Sequence, residues 1–255
     1  MSLHDAATLP STSPLGKAAT PAARRRSLGD WLHVWAFGAI GWPWLLRSLS
    51  GGPPAARARL LDDLALAPDA LPALGSWRAD SGYLTLVAEQ IAALRPDLVV
   101  ELGGGVSTLV AARALQRHGG GRLITVDHIA ECTATTCAAL HAVGLDAEFR
   151  TAPLTAAPGG WPGQWYTESA ARLPAAAKID LLLVDGPPWA LHPFGRGAAD
   201  SLFDRIPVGG VVMLDDAARP GERIVARRWR RRWPNFEFKL DRSGTKGTLI
   251  GRRLR

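Results

Sequence analysis

The sequence predicts an α/β fold in which a mostly parallel sheet carries helices on both faces and ends in an antiparallel pair of strands. From about residue 82 onward, short continuous apolar runs alternate with longer segments of helical period. This alternation is typical of buried parallel strands joined by crossover helices. The chain has 255 residues, of which 47% are hydrophobic and 21% charged, so one such domain with additional elements is expected.

The chain divides into three predicted parts. Residues 1–26 mix Ala, Ser, Thr, Pro and Arg without an apolar period, so we expect a flexible arm. Residues 27–54 form a tryptophan-rich helical segment that ends at a Gly-Gly-Pro-Pro breaker. Residues 55–255 are predicted to form the main domain, which begins with a helical extension.

Strands and helices alternate through the main domain. Helices are predicted over residues 55–75, 82–95, 106–117, 130–143, 197–205 and 220–233, and strands over residues 98–102, 122–127, 147–151, 179–185, 211–215, 236–240 and 247–251. The last two strands are expected to pair antiparallel. In parallel sheets, ligands bind beyond the carboxyl ends of the strands, so site residues are sought there.

The tryptophan-rich segment has two interpretations. Its apolar run Trp31–Leu46 is short for a membrane span and is interrupted by His33 and Pro43. Its four tryptophans and the preceding Arg24–Arg26 are typical of an interfacial helix, which would make peripheral membrane contact through residues 27–48. The alternative is a helix packed on the main domain, which we favour because apolar runs of this length are more often core helices.

Charge and cysteine usage bear on partners and compartment. The net charge is +7, and Arg227–Trp233 holds five arginines that could attract phosphates, anionic lipid or an acidic substrate. We favour a solvated helix face and do not expect a nucleic-acid partner. Cys132 and Cys137 lack metal-site spacing, so we expect buried free thiols in the reducing cytoplasm. No feature of the sequence indicates an oligomeric state.

A glycine-rich turn after the first strand is the main site signal. Glycines let the chain turn sharply from strand into helix and let a ligand approach the backbone. Gly103 and Gly105 match the first two positions of the dinucleotide pattern G-x-G-x-x-G, whereas Thr108 takes the third, which disfavours a nicotinamide dehydrogenase. The second strand ends at Asp127, where a carboxylate can accept both hydroxyls of a nucleotide ribose.

These residues carry a resemblance. The string VVELGGGVSTLVAARAL resembles the first motif, acid-x-Gly-x-Gly, of class I S-adenosylmethionine-dependent methyltransferases. The likeness continues through ITVDH, LLLVDGPPW and GGVVMLDDAARPGE, and is greatest to a bacterial branch that reads ELGSGVST, LLLIDGPP and VVLLDDA. It spans about residues 80–251 and implies a Rossmann-like, doubly wound, seven-stranded sheet with a reversed terminal hairpin, and S-adenosylmethionine (SAM) as cofactor.

The resemblance also implies a donor site, residue by residue. Glu101 would face the methionine amino group of SAM, Asp127 the ribose hydroxyls and His128 the adenine. The cofactor-binding candidates are Glu101, Gly103, Gly104, Gly105, Ser107, Thr108, Asp127, His128 and Asp185.

Three acids follow two later strands. Asp185 ends one strand, and Asp215 and Asp216 end its expected neighbour. Crowded carboxylates repel one another unless a cation compensates, and oxygen ligands suit Mg²⁺. The arrangement resembles that of catechol-type O-methyltransferases, which implies a metal site at these three residues that lowers the pKa of an acceptor hydroxyl. The alternative is that Asp185 orders its loop and Asp215 caps a helix.

The predicted reaction is O-methylation of a small hydroxylated acceptor of sugar, polyketide or phenolic type, assisted by Mg²⁺. Asp185 and His192 are the catalytic candidates, and the ordinary pKa of a histidine suits proton abstraction. Two alternatives are a nucleic-acid methyltransferase and a non-catalytic membrane-associated module. The first rests on the likeness of Gly186–Trp189 to a Pro-Pro-Tyr/Trp motif, although glycine has no side chain to hold a target amine.

Two further groups flank the expected acceptor site. Arg196 and Arg219 could bind an anionic acceptor. Trp165, Tyr166 and Trp189 could stack on a sugar or aromatic ring.

Overall fold

The computed structural model describes residues 28–171, 173 and 177–255; the predicted arm over residues 1–26 lies outside them. The helices are α1 (Leu28–Ser48), α2 (Pro54–Asp63), α3 (Ser81–Leu94), α4 (Val106–Arg117), α5 (Ala130–Ala142), α6 (Glu168–Ala171) and α7 (Pro220–Arg232), with a 3₁₀ helix at Gly195–Arg205. The strands are β1 (Leu98–Leu102), β2 (Arg122–Asp127), β3 (Glu148–Thr151), β4 (Leu154–Ala156), β5 (Gln164–Tyr166), β6 (Leu181–Val184), β7 (Val211–Leu214), β8 (Phe236–Asp241) and β9 (Thr248–Arg253).

Seven of these strands form one sheet in the order β3-β2-β1-β6-β7-β9-β8. The first five are parallel, whereas β9 pairs antiparallel with both β7 and β8. The predicted Rossmann-like sheet with a reversed terminal hairpin is confirmed. The strand order reverses between β1 and β6, so the carboxyl ends of these strands flank the crevice where ligands of such sheets bind.

Both faces of the sheet are buried, as continuous apolar strands require. Successive side chains of a strand point to opposite faces, and β1 shows this: Val100 packs in one core cluster and Val99 in the other. Glu101 follows in register with Val99 at the carboxyl end of the strand. The alternation therefore places an acid inside the protein at the edge where the site is expected.

Three details differ from the sequence expectation. Helix α2 ends at Asp63, well before residue 75, and prolines follow it. The short strands β4 and β5 form an antiparallel ribbon that the sequence did not predict. Cys132 and Cys137 are free but not buried, since Cys132 is exposed and Cys137 half-buried. The expectation of buried thiols is wrong, because the only buried side chain of α5 is Leu140.

Helix α1 packs on the domain with one side only. Phe37 meets Phe194 edge-on with the ring centroids 5.0 Å apart, and a Cβ built on Gly38 would lie 3.4 Å from the Trp189 ring. The opposite side leaves Trp35 76% exposed and Leu32 67% exposed. None of the helices in the described part of the chain has both the length and the apolar character needed to cross a membrane.

Candidate functional site

The glycine turn brings the tips of β1 and β6 together. Gly103 has φ +91°, which L side chains rarely adopt, and its N–H donates to the Val126 carbonyl at 2.8 Å. A Cβ built on Gly103 would lie 2.6 Å from the backbone nitrogen of Gly186. A side chain there would therefore push β1 away from the loop that follows Asp185. By contrast, a Cβ on Gly105 would meet nothing within 4 Å, so the turn is open on its outer side.

Glu101 lies fully buried beneath this turn. Its Oε2 accepts hydrogen bonds from the hydroxyls of Thr108 at 2.6 Å and Thr125 at 2.9 Å. Its Oε1 is buried and has no hydrogen-bond partner among the described residues. Burial raises the pKa of Glu101 to about 7, although the hydroxyls of Ser107, Thr108 and Thr125 around the carboxylate oppose the rise. A buried carboxylate oxygen without a partner is costly unless a ligand supplies a donor.

Asp127 is held at the tip of β2 by backbone donors. Its Oδ2 accepts from the Gly104 N–H at 3.1 Å and its Oδ1 from the Ile129 N–H at 2.9 Å. His128 Nδ1 lies 3.3 Å from the same Oδ1. Burial acts to raise the pKa of Asp127, but hydrogen bonds from His128 and these N–H groups outweigh it, so the pKa is lowered. Asp127 therefore stays ionised and keeps lone pairs available for a ligand's hydroxyl groups.

Tyr166 completes the crevice opposite the glycine turn. Its hydroxyl is buried without a hydrogen-bond partner in the described chain, and it lies against the backbone of Gly186. Its ring centroid is 6.3 Å from that of His128. The sequence offered Tyr166 only as a stacking residue; the position of its hydroxyl depends on the unpredicted β4–β5 ribbon.

The three acids predicted at the ends of β6 and β7 come together. Carboxylate oxygens of Asp185, Asp215 and Asp216 all lie within 4.8 Å of one another. Asp215 is fully buried, and neither of its oxygens has a hydrogen-bond partner within the described ranges. Burial, followed by the charges of Asp216 and Asp185, raises the pKa of Asp215 well above its usual range.

Three cations inside the protein compensate these acids in part. Arg196 contacts Asp185 at 3.0 Å and Asp216 at 2.8 Å. Arg219 lies 2.7 Å from Asp216, and Lys246 lies 3.6 Å from it. Burial acts to raise the pKa of Asp216, but the three cations, Arg219 first, hold it well below its usual range. Arg196 and Arg219 are therefore engaged with neighbouring carboxylates, and Lys246 is a site residue that the sequence did not indicate.

His192 lies apart from the acid cluster. Its Nδ1 accepts the Phe194 N–H at 3.1 Å, and its Nε2 lies 3.8 Å from Asp30 of α1. Only 2% of the residue is exposed, and burial lowers its pKa. It also contacts the His33 ring, with the centroids 5.6 Å apart. The structure thus places His192 in the contact between α1 and the domain, and its catalytic role stays a prediction.

A pocket of about 150 Å³ lies between α1 and the acid cluster. Five aromatic residues are among those that line it: Phe37, Trp42, Trp44, Trp77 and Trp189. Asp216, Arg219, Glu222 and Lys246 form its polar end. The pocket therefore joins the apolar inner side of α1 to the carboxylates at the tip of β7.

The described arginines of α7 divide into paired and unpaired side chains. Arg228 lies 4.1 Å from the centre of the Trp161 ring, and Arg232 pairs with Asp200 at 3.2 Å. Arg223 and Arg227 are exposed. Of the predicted solvated arginines, Arg227 is exposed, whereas Arg228 and Arg232 contact other side chains.

Solved structures with the same architecture include three methyltransferases, one from Geobacter sulfurreducens, one from Bacillus cereus bound to SAH, and one from Podospora anserina bound to SAH. Identities are 18%, 14% and 14%, with TM-scores of 0.50, 0.54 and 0.54. The matches cover 79%, 79% and 87% of this chain and 87%, 91% and 96% of those chains. The Bacillus cereus protein is described as an O-methyltransferase. No protein of curated function matches this sequence.

The sheet order, the glycine turn and the acids at the strand tips define a Rossmann-like methyltransferase fold. Residues 100–217, from β1 to just beyond β7, match a family described as "Methyltransferase domain". This part of the chain is therefore similar to a methyltransferase domain, in agreement with the class I motifs found in the sequence.

Proposed function

We propose that this chain transfers the methyl group of SAM to a hydroxyl oxygen of a small acceptor. The observation that carries the donor assignment is the orphaned Oε1 of Glu101, buried under an open glycine turn. An ammonium group is the donor that such an oxygen lacks, and SAM carries one on its methionine end. The SAH bound in two of the structural neighbours supports the same choice.

The remaining contacts follow from the tips of β1 and β2. Asp127 would accept the ribose hydroxyls, since its carboxylate is ionised and already oriented by two backbone donors. His128 and Tyr166 would enclose the adenine side, and Gly103, Gly104 and Gly105 would lie beneath the ligand. Thr108 would act through Glu101, because its hydroxyl donates to the carboxylate, and the nearby Ser107 hydroxyl favours the ionised form of the same group. When bound, SAM supplies an electrophilic methyl group on a sulfonium sulfur.

Asp185 is the residue we assign to the acceptor hydroxyl. It is at the tip of β6, and its side chain is 20% exposed, the most of the three clustered acids. Burial raises its pKa, although the charge of Arg196 opposes the rise. A carboxylate with a raised pKa is a better proton acceptor. Without a bound metal ion, Asp185 would take the hydroxyl proton as the acceptor oxygen attacks the methyl carbon, the bond from that carbon to sulfur breaks, and SAH leaves. Arg196 would hold Asp185 in place.

Mg²⁺ fits the same cluster. Three carboxylates within 4.8 Å form an all-oxygen donor set, and both oxygens of Asp215 lack partners in the described chain. Asp185, Asp215 and Asp216 would hold the ion, which would lower the pKa of an acceptor hydroxyl. Chelation with EDTA should then lower turnover and Mg²⁺ restore it. Turnover that is unchanged by EDTA would show that Arg196 and Lys246 suffice as counter-charges.

The pocket under α1 is our proposal for the acceptor site. Its polar end contains Asp216, which clusters with Asp185, and Asp185 adjoins the glycine turn through Gly186. A cavity of about 150 Å³ is enough for one benzene-sized ring. Aromatic walls would leave most hydroxyls of a sugar unpaired, which is costly. We therefore favour a phenolic or polyketide-type acceptor over a sugar.

A pair of helix variants tests this pocket. Gly41 lines the pocket, and a Cβ there would meet nothing within 4 Å, so Gly41→Leu should fill it without a clash. Ala39→Leu adds the same side chain on the exposed side of α1. We expect Gly41→Leu to weaken phenol binding in the presence of SAH at least tenfold, measured by saturation-transfer NMR, while Ala39→Leu does not. Equal phenol binding by both variants would show that this pocket is not the acceptor site.

The direct test of function is transfer of labelled methyl from SAM. Purified chain and labelled SAM are incubated with a cell extract, and the labelled product is identified; Asp127→Ala serves as the control. We expect a labelled small molecule bearing a new methyl ether. Label in RNA or DNA would instead support the nucleic-acid alternative. We place this activity in the cytoplasm, with peripheral contact at the inner face of the membrane.

A further inference from the structure

Helix α1 exposes an apolar surface that the domain does not cover. Leu28, Trp31, Trp35 and Leu46 are 84%, 56%, 76% and 56% exposed. At 100° per residue their positions fall within about 60° of one another, on the side opposite Phe37 and Trp44. Isolated exposed apolar residues are normal, but a contiguous group of this kind marks an interaction surface. We call these four residues the tryptophan face.

Exposed basic side chains lie on α1 and on α7, the helix packed beside it. Arg47 lies exposed in the last turn of α1. Helix α7 packs beside α1, with Pro220 and Glu222 lining the same pocket as Gly38 and Gly41. Arg223 and Arg227 follow on α7 as exposed side chains one helical turn apart, and Ile224 between them is 44% exposed. We call these three arginines the arginine border, since they add exposed positive charge to the two helices that flank the pocket.

We propose that the tryptophan face docks on an anionic lipid bilayer, with α1 lying in the plane of the membrane interface. Tryptophan is enriched at the headgroup level, where its ring is buried and its N–H stays hydrated. Arginines at the border would meet lipid phosphates, each contributing about a fivefold gain in partition. The inner side of α1 stays on the domain, so the helix connects the pocket to the bilayer surface.

A second copy of the chain is the competing occupant of this face. Two copies related by a twofold axis would place the same patch on itself. Arg47, Arg223 and Arg227 of the two copies would then approach one another without acids to pair them, since the described acids of α1 and α7, Asp30 and Glu222, contact His192 and Arg219. This repulsion favours anionic lipid over self-association.

Co-sedimentation of the full chain with vesicles tests the proposal. Binding is measured on phosphatidylcholine vesicles with and without one quarter phosphatidylglycerol, in low and high salt. We expect binding only with phosphatidylglycerol and weakening at high salt. Trp35→Ser should abolish it, whereas Val208→Ser, at an apolar position that is 66% exposed outside α1, should not.

The arginine border is tested by a double variant with its own control. Arg223→Gln with Arg227→Gln should lower partition about 25-fold. Arg117→Gln, at an exposed site on α4, should leave it unchanged. Absence of wild-type binding, or an equal effect of Arg117→Gln, would overturn the proposal. So would a dimer in solution that Trp35→Ser converts to monomer, because the face would then be an interface between copies.

Discussion

The raised pKa of Glu101 makes donor binding depend on pH. Burial moves this pKa from 4.5 to about 7. Under the proposed function, the free Oε1 pairs with the ammonium of SAM or SAH, and that pairing requires the ionised carboxylate. Well below the pKa, the ionised fraction falls about tenfold per pH unit. The affinity for SAH should therefore be about tenfold lower at pH 6 than at pH 8.

Isothermal titration calorimetry with SAH between pH 5.5 and pH 8.5 measures this effect. Glu101→Gln is the matched variant, because it keeps the size of the side chain and an oxygen for Thr108 and Thr125. We expect it to bind weakly throughout and to lose the pH dependence. A wild-type affinity that is constant over this range, or the same slope in Glu101→Gln, would refute the assigned role of Glu101.

Three predictions concern stability and are measured by denaturant unfolding. Gly103→Ala should lower the free energy of unfolding by about 3 kcal/mol, because backbone strain at φ +91° adds to the clash with Gly186. Gly119→Ala, at φ +113° with open space around its Cβ, should lower it by only about 1 kcal/mol. Equal losses would exclude the close approach of Gly103 to Gly186. Arg196→Met should lower the free energy of unfolding by about 3 kcal/mol, because Asp185 loses its salt bridge and Asp216 loses one of its three cations. Arg117→Met should lower it by less than about 0.5 kcal/mol, and equal values would contradict the pairing. Because the pKa of Glu101 is higher in the folded chain, this group adds about 3 kcal/mol to the free energy of unfolding below pH 4.5, and this contribution is lost as pH rises to 7. Glu101→Gln should abolish that loss. An unchanged dependence of stability on pH in this variant would argue against the shift.

The sheet and the donor crevice could be predicted because their signals are local. Continuous apolar strands, a glycine turn and an acid at each strand tip are neighbours in sequence, and parallel pairing places those tips side by side. The positions of Glu101 and Asp127 follow from the pairing of β1 with β2 alone, which sets Glu101 beside Thr125.

The counter-charges could not be predicted, because they come from distant segments. Arg196 reaches Asp185 from the 3₁₀ helix, and Lys246 reaches Asp216 from the turn between β8 and β9. The sequences around Arg196 and Lys246 do not indicate that these side chains pair with the acids, and from the sequence alone Arg196 is a candidate ligand for an anionic acceptor instead. The place of His192 beneath α1 likewise depends on how a separate helix packs, and the inner and outer sides of α1 share the same apolar composition.

The affinity for the methyl donor distinguishes a SAM-binding site from a dinucleotide site. Calorimetric titration of the wild-type chain with SAM, SAH and NAD should show one site for SAM and SAH and none for NAD. Asp127→Asn should weaken SAH binding by about tenfold to a hundredfold, because it removes a charged acceptor of the ribose hydroxyls. A chain that binds neither SAM nor SAH, or that prefers NAD, would contradict the account.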